Sequence, residues 1–287
     1  MDPQAFTPPS PGAAAAGYPD AVVAWVLADL LRSGARCYGI AGLQGSGKST
    51  LARQVAALAA RHGRALAVLS TDDAYLDRPE REALAARVHP LLATRGPPGT
   101  HDVALACRTL DGLRAGEDVP LPRFDKLGDR RLPERDWPRA GRVDGVILEG
   151  WFNQVPPEPA DALAAPLNAL ERDEDADGRW RRYCNDALGR DYPPLWARID
   201  RALFLQPPGF DVVPDWRWRQ ECALRARAPG RAGMDRAAVE RFVAHFERVS
   251  RQALRTLPAI ADHTLALDAS RNAALPDGGN VEGNLLG

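Results

Sequence analysis

The sequence carries no surplus of charge of either sign, few cysteines and no long apolar run. Its 37 Lys and Arg stand against 38 Asp and Glu, a formal charge of −1. That balance excludes a chain that holds nucleic acid or an anionic membrane mainly by bulk charge. The four cysteines, Cys37, Cys107, Cys184 and Cys222, form neither a CxxC pair nor a Cys/His cluster at zinc spacing. They read as incidental thiols of a reducing compartment. No apolar stretch approaches the roughly 20 residues that span a bilayer. The opening segment lacks the basic and apolar regions of a signal peptide; Pro3, Pro8, Pro9 and Pro11 ahead of an alanine tract read instead as a disordered tail over 1–17. Internal repeats are also missing. These absences lead to the expectation of a cytoplasmic protein whose partner is a small molecule, with no nucleic acid and no membrane.

What is present is enough for a sizeable core: 287 residues, 45% of them hydrophobic. Apolar residues recur at helical spacing over 18–31, and a short apolar run over 36–43 then ends in glycines. A helix over 48–61, closed by Gly63, and a buried strand over 65–69 complete a strand, helix, strand unit, the building block of a parallel sheet. Further apolar runs at 145–148, 202–205 and 264–267 read as central strands. The expected fold is therefore α/β, a parallel sheet of about five strands flanked by helices. One domain over 18–272 is expected, with insertions at 78–142 and 152–198 that are too long for ordinary connections. A flexible tail over 273–287 is expected to follow it. The acidic stretch from Glu171 to Asp177 reads as a solvated face or loop without chemistry of its own.

Residues Gly42, Leu43, Gln44, Gly45, Ser46, Gly47, Lys48 and Ser49 match GxxxxGK[ST], set between a predicted strand and a predicted helix, with Thr50 following. In that context glycines let successive backbone N–H groups turn inward around phosphates, and the helix points its positive end at the same charge. Lys48 is expected to reach the β- and γ-phosphates of ATP, and Ser49 to ligate Mg²⁺. A phosphate loop alone does not separate kinases from GTPases or motors. No NKxD-type guanine signature and no LSGGQ-type signature is present.

In an open parallel sheet ligands collect at the carboxyl ends of the strands. Two such ends carry acids: Asp72 and Asp73 after the second strand, and Glu149 after Val146-Ile147-Leu148. Phosphoryl transfer needs a group to orient or deprotonate the acceptor hydroxyl and acids to hold Mg²⁺. Asp72 fits the base, and Glu149 a metal or water ligand. Helix capping is the alternative for Asp72 and Asp73.

At this point the chain resembles the phosphoribulokinase, uridine kinase and pantothenate kinase superfamily of P-loop NTPase fold. More closely it resembles the D-glycerate 3-kinases of plant and fungal type with their bacterial relatives. The resemblance runs from about 38 to 272 and rests on ordered blocks. They are the phosphate loop, 70–76 (STDDAYL), 99–102 (GTHD), 122–126 (PRFDK), 147–151 (ILEGW), Trp216-Arg217 with Glu221 and Arg225, and Phe242-Val243. It implies Asp72 as catalytic base, an acceptor pocket near Asp73, Tyr75, His101, Asp102, Arg123, Asp125 and Lys126, and a helical lid over about 212–235 whose Arg217 and Arg225 meet the phosphates. An anionic acceptor needs cations, which Arg123 or Lys126 could supply. Residue type equally fits a His101 that satisfies a loop, a Lys126 on the surface and an Asp125 that caps. Residues 268–272 are adenine neighbours by position only.

Two departures concern the acceptor side: Ala74 stands where relatives carry an aromatic residue, and 152–198 does not map onto the plant enzymes. The expected activity is therefore an ATP-dependent kinase of D-glycerate. A nucleoside, pantothenate or a sugar phosphate is the alternative acceptor, and a nucleotide-gated binding protein or slow ATPase is the alternative of another class.

Overall fold

The computed structural model describes residues 17–227 and 233–275. The segments expected as tails thus fall almost wholly outside the described residues, as do residues 228–232 of the expected lid. All five apolar runs become parallel strands: β1 (Cys37–Gly42), β2 (Leu66–Ser70), β5 (Gly145–Gly150), β6 (Arg201–Gln206) and β7 (His263–Ala266). A two-stranded antiparallel hairpin, β3 (Phe124–Asp125) and β4 (Arg130–Arg131), lies apart from them.

The sheet order is β2-β5-β1-β6-β7. β1 and β5, covered on both faces and paired on both edges, are buried along their whole length, which is why they read as unbroken apolar runs. Alternation of side chains sends Ile40, Ile147, Leu203 and Leu205 to one face, against α1 (Asp20–Ser33) and α2 (Lys48–Arg61). Cys37, Ala41, Val146, Leu148 and Phe204 go to the other, against α4 (Val103–Ala115) and α10 (Glu247–Ile260). From β1 the chain builds outward first to one side and then to the other, so the crevice for a ligand opens at the carboxyl end of β1. Register brings Ser70 opposite Glu149, and Glu149 opposite Ile40. The acids of two strand ends therefore stand level with the start of the phosphate loop.

The long connections are structured. The first holds α3 (Arg78–Arg87), α4 and the hairpin; the second holds α5 (Ala169–Glu174), α6 (Arg179–Arg190) and α7 (Pro193–Trp196). Beyond β6 come α8 (Val213–Arg227) and α9 (Arg236–Ala244). The acidic stretch is a solvated face only in part: Asp173, Glu174 and Asp177 are exposed, whereas Glu171 and Asp175 are not. Glu171 and Asp175 are each 1% exposed. Arg248 donates to both Glu171 oxygens at 2.7 and 2.6 Å, and Arg181 donates to Asp175 at 3.0 Å. A buried carboxylate survives only with a partner, and Arg248 lies 77 residues away in sequence, beyond any local pattern. Among the described residues no helix is long and apolar enough to cross a membrane.

Candidate active site

The phosphate loop is built from backbone that glycine alone adopts easily: Gly45 and Gly47 have φ of 81° and 90°. Gly47 is the N-cap of α2 and accepts from Thr50 N at 2.9 Å. A side chain at Gly45 would also strike Trp216, because the first turn of α8 lies on the loop. Trp216 donates through its indole to Ala269 O at 2.8 Å, and Arg271 reaches Gly45 O at 3.4 Å. Of residues 268–272, named from position alone, Arg271 thus reaches the phosphate loop itself and Ala269 reaches the tryptophan that covers it. Tyr18 donates to Ser46 O at 2.6 Å from the other side. Leu43 is wholly buried in the core, while Gln44 Oε1 and Ser46 Oγ are buried without a partner among the described residues.

At the end of β5, Glu149 is 4% exposed. Ser49, at the second position of α2, donates to its Oε1 at 2.7 Å, and its Oε2 is buried with no partner among the described residues. A hydroxyl and a half-satisfied buried carboxylate form a donor set that suits a hard divalent cation.

The end of β2 turns through a short 3-10 helix, Thr71–Ala74, capped by Ser70, whose Oγ accepts from Asp72 N at 3.3 Å. Asp72 is thereby relieved of the capping role. Its Oδ2 meets Lys126 Nζ at 2.6 Å, its Oδ1 is buried with no partner at hydrogen-bond distance among the described residues, and the Tyr75 hydroxyl lies near enough to act on the carboxylate. Burial works to raise this carboxyl, but the Lys126 and Lys48 cations prevail and hold it well below the usual carboxylate range. Asp73 differs: burial pushes it up to about 6 against the Arg123 cation. Both its oxygens are occupied, by Phe124 N and by Arg123 Nη1, each at 3.3 Å. Asp73 thus ties the hairpin to the end of β2, and the turn after β3 delivers Lys126 to Asp72. For proton transfer, geometry ranks ahead of pKa, and geometry selects Asp72.

Two other expected substrate neighbours face their own backbone. Asp102 N-caps α4 by accepting from Leu105 N at 2.8 Å and pairs with Arg131 at 3.5 Å. Asp125 accepts from Leu127 N at 3.0 Å within the hairpin turn. Tyr75 and His101 are buried side by side, ring centroids 4.8 Å apart. His101 contacts Tyr192 OH through Nδ1 at 2.7 Å. Ala74 is buried in the core, and its carbonyl accepts from Asp102 N at 2.7 Å.

On α8, Arg217 pairs with Glu221 at 3.0 Å and lies over the Phe242 ring, whereas Arg225 is exposed. Trp216 and Trp218 pack, as their size suggests. Sequence reasoning missed Tyr18, Tyr192 and the seat of Trp216 on Gly45, because nothing in a local window announces contacts across the fold.

Among the described residues one group elsewhere has metal-like spacing, His89, Asp175 and Asp177. Its atoms are already used: His89 Nδ1 accepts from Leu91 N at 3.2 Å, which leaves a proton on Nε2, and Asp175 accepts from Trp180 N and Arg181.

No family model matches the chain. It is 36% identical over 225 residues to the uncharacterized kinase mug58 of Schizosaccharomyces pombe, covering 72% of this chain and 77% of that protein. It is 29% identical over 253 residues to the chloroplastic D-glycerate 3-kinase of Arabidopsis thaliana, covering 80% of this chain and 51% of that protein. The chain thus spans about half the length of the plant relative. A solved D-glycerate 3-kinase from Cryptococcus neoformans superposes with a TM-score of 0.68 at 24% identity, over 89% of this chain and 96% of that one. That likeness establishes the fold.

Proposed function

The chain belongs to the P-loop kinase family of mug58, and we propose that it transfers the γ-phosphoryl group of ATP to the 3-hydroxyl of D-glycerate, giving 3-phosphoglycerate and ADP. The observation that carries this reading is the juxtaposition at the end of β2. One carboxylate, Asp72, keeps a buried oxygen for a hydroxyl, and an ammonium, Lys126, stands 2.6 Å from its other oxygen. A small hydroxy acid needs both, a base for the alcohol and a cation for the carboxylate. The curated relatives that the chain resembles, one of them named for D-glycerate, support the choice of acceptor.

In this reading the backbone of residues 42–50 cradles the phosphates, and Lys48 holds the transferring group. Asp72 orients the acceptor hydroxyl through Oδ1 and takes its proton as the bond to phosphorus forms. Ser49 and Glu149 fit Mg²⁺, since the orphaned Oε2 of Glu149 needs a cation. Bound with ATP, such an ion would supply positive charge against the charge that develops on the transferring phosphate. Arg123 and Tyr75 line the acceptor side. Arg217 and Arg225 act from a lid over 212–235, where Arg217 must exchange Glu221 for phosphate; closure excludes water from the reacting group. The same proposal takes 18–272 as the kinase unit, with 78–142 and 152–198 as acceptor-side insertions, and a cytoplasmic location.

The test is coupled ADP release with Mg-ATP, with and without D-glycerate, beside a panel of nucleosides, pantothenate and sugar phosphates. Stimulation by D-glycerate alone is the expected result. Stimulation by a different acceptor keeps the kinase and replaces the substrate.

A further inference from the structure

We infer that Tyr192 is a positioning residue whose hydroxyl holds His101 as the neutral tautomer with its proton on Nε2, so that this ring donates a hydrogen bond to the acceptor. The inference rests on the reading of the site as one that phosphorylates a hydroxyl. It goes beyond that reading by giving part of the insertion at 152–198 a task in it.

The backbone around His101 is held against the end of β2: Leu76 N donates to Thr100 O at 2.9 Å and Asp102 N to Ala74 O at 2.7 Å. The imidazole, 8% exposed as a residue, is enclosed by the rings of Tyr75, Phe152 and Tyr192 at centroid distances of 4.8, 5.4 and 5.7 Å. Tyr192 enters from the far end of α6, its ring stacked on Trp196.

Two bonds at one oxygen decide the tautomer. Gly99 N donates to Tyr192 OH at 3.0 Å, so the phenol oxygen is already an acceptor. A phenol has one proton to give, and among the described residues its acceptor is His101 Nδ1 at 2.7 Å. The opposite tautomer would aim two N–H groups at one oxygen and strand the phenol proton in the core, the costly case of a buried unsatisfied donor. Nδ1 therefore accepts, and the neutral ring keeps its proton on Nε2.

That Nε2 is buried and has no partner among the described residues. Such an N–H calls for an acceptor, and the carboxylate whose charge acts on this ring is Asp72. Burial pushes the imidazole down to about 4, so at neutral pH the donor is uncharged. Asp72 Oδ1 and His101 Nε2–H thus offer the acceptor one place to give a hydrogen bond and one to receive it.

Imidazole ¹⁵N–¹H correlation spectra of the apoprotein read the tautomer with no acceptor present. The expected result is His101 as Nε2–H in the wild type and as a mixture in Tyr192→Phe, which keeps the ring packing. In turnover, Tyr192→Phe should raise KM for D-glycerate about fivefold to tenfold, the scale of one neutral hydrogen bond. Both kcat and KM for ATP should stay within about twofold, as befits lost ground-state binding. His101→Gln, whose amide NH₂ reaches the Nε2 position, should keep most acceptor affinity, and His101→Asn should lose it. Wild-type His101 found as Nδ1–H, or a Tyr192→Phe enzyme whose acceptor KM is unmoved, overturns the inference. Should Tyr192→Phe fail to fold, the wild-type spectrum decides alone. A wild-type enzyme that D-glycerate does not stimulate defeats the glycerate reading, while the spectrum still judges the tautomer.

Discussion

The donor half and the acceptor half of the site differ in how far their charged groups are paired with one another. Around the phosphate loop polar atoms are left waiting: Gln44 Oε1, Ser46 Oγ and Glu149 Oε2 are buried without partners among the described residues. Across the crevice the charged side chains are paired with each other, as Asp73–Arg123, Lys126–Asp72, Asp102–Arg131 and Arg95–Asp129, while Asp72 Oδ1 and His101 Nε2 stay open. Orphaned buried groups cost stability and persist where a ligand satisfies them, so the donor half is preformed for a fixed ligand. Ion pairs at the acceptor half can instead be exchanged for a ligand's own charges. Lys126, 52% exposed, is the clearest case: an acceptor carboxylate can take over its charge from Asp72. As that happens the base regains proton affinity, because Lys126 is the foremost cation holding Asp72 down.

This contrast is open to attack at each side. The largest effect is expected from Asp72→Asn, which should cut kcat by about 10²- to 10⁴-fold, the range of general-base catalysis, with ATP affinity retained in a nucleotide-binding titration. Unfolding instead would make Asp72 structural. Lys48→Ala strikes the donor half and should lower turnover by at least roughly a hundredfold, as loss of a preorganised charge does; near-normal turnover would remove its assigned role. Lys126→Met should raise KM for the acceptor by about tenfold to a hundredfold, the scale of a charged hydrogen bond, and leave KM for ATP in place. Equal changes in both constants would break the distinction between the two halves.

The smallest effects concern pH. Asp73, raised from 3.8 to about 6 by burial, holds a proton in the folded state that the unfolded chain has lost, so its contribution is present below 3.8 and disappears as pH rises through 6. His101 and His245, lowered by burial from 6.5 to about 4, contribute above 6.5 and lose that contribution as pH falls through 4. Two histidines outweigh one aspartate, so the melting temperature should fall on acidification across this window. Asp73→Asn should steepen that fall and His101→Gln should soften it; a melting series that shows neither change counts against the burial of these groups.

Legibility in the sequence divides along the same line. The phosphate loop, its flanking strand and helix, and Glu149 at the end of β5 are each written in a few consecutive residues, and the five strands read as unbroken apolar runs. The blocks at 70–76, 99–102 and 122–126 were visible as blocks, yet the partners of their polar atoms were not. Nothing in Asp102 itself says that it caps α4, and nothing in Asp72 says that Ser70 relieves it of capping. Glu171 and Asp175 read as surface because Arg248, which makes burial of Glu171 tolerable, comes so much later in the chain.

The parallel sheet, the phosphate loop and the strand ends that carry acids follow from residue order alone, because periodicity and glycine placement act over neighbouring residues. Which charges pair, the reach of Lys126 to Asp72, the cover of Trp216 over Gly45 and the contact of Tyr192 with His101 come from the packing of the folded chain. Those choices depend on burial and on distances between residues far apart in the chain, and a low-dielectric interior makes each of them costly to leave unmet.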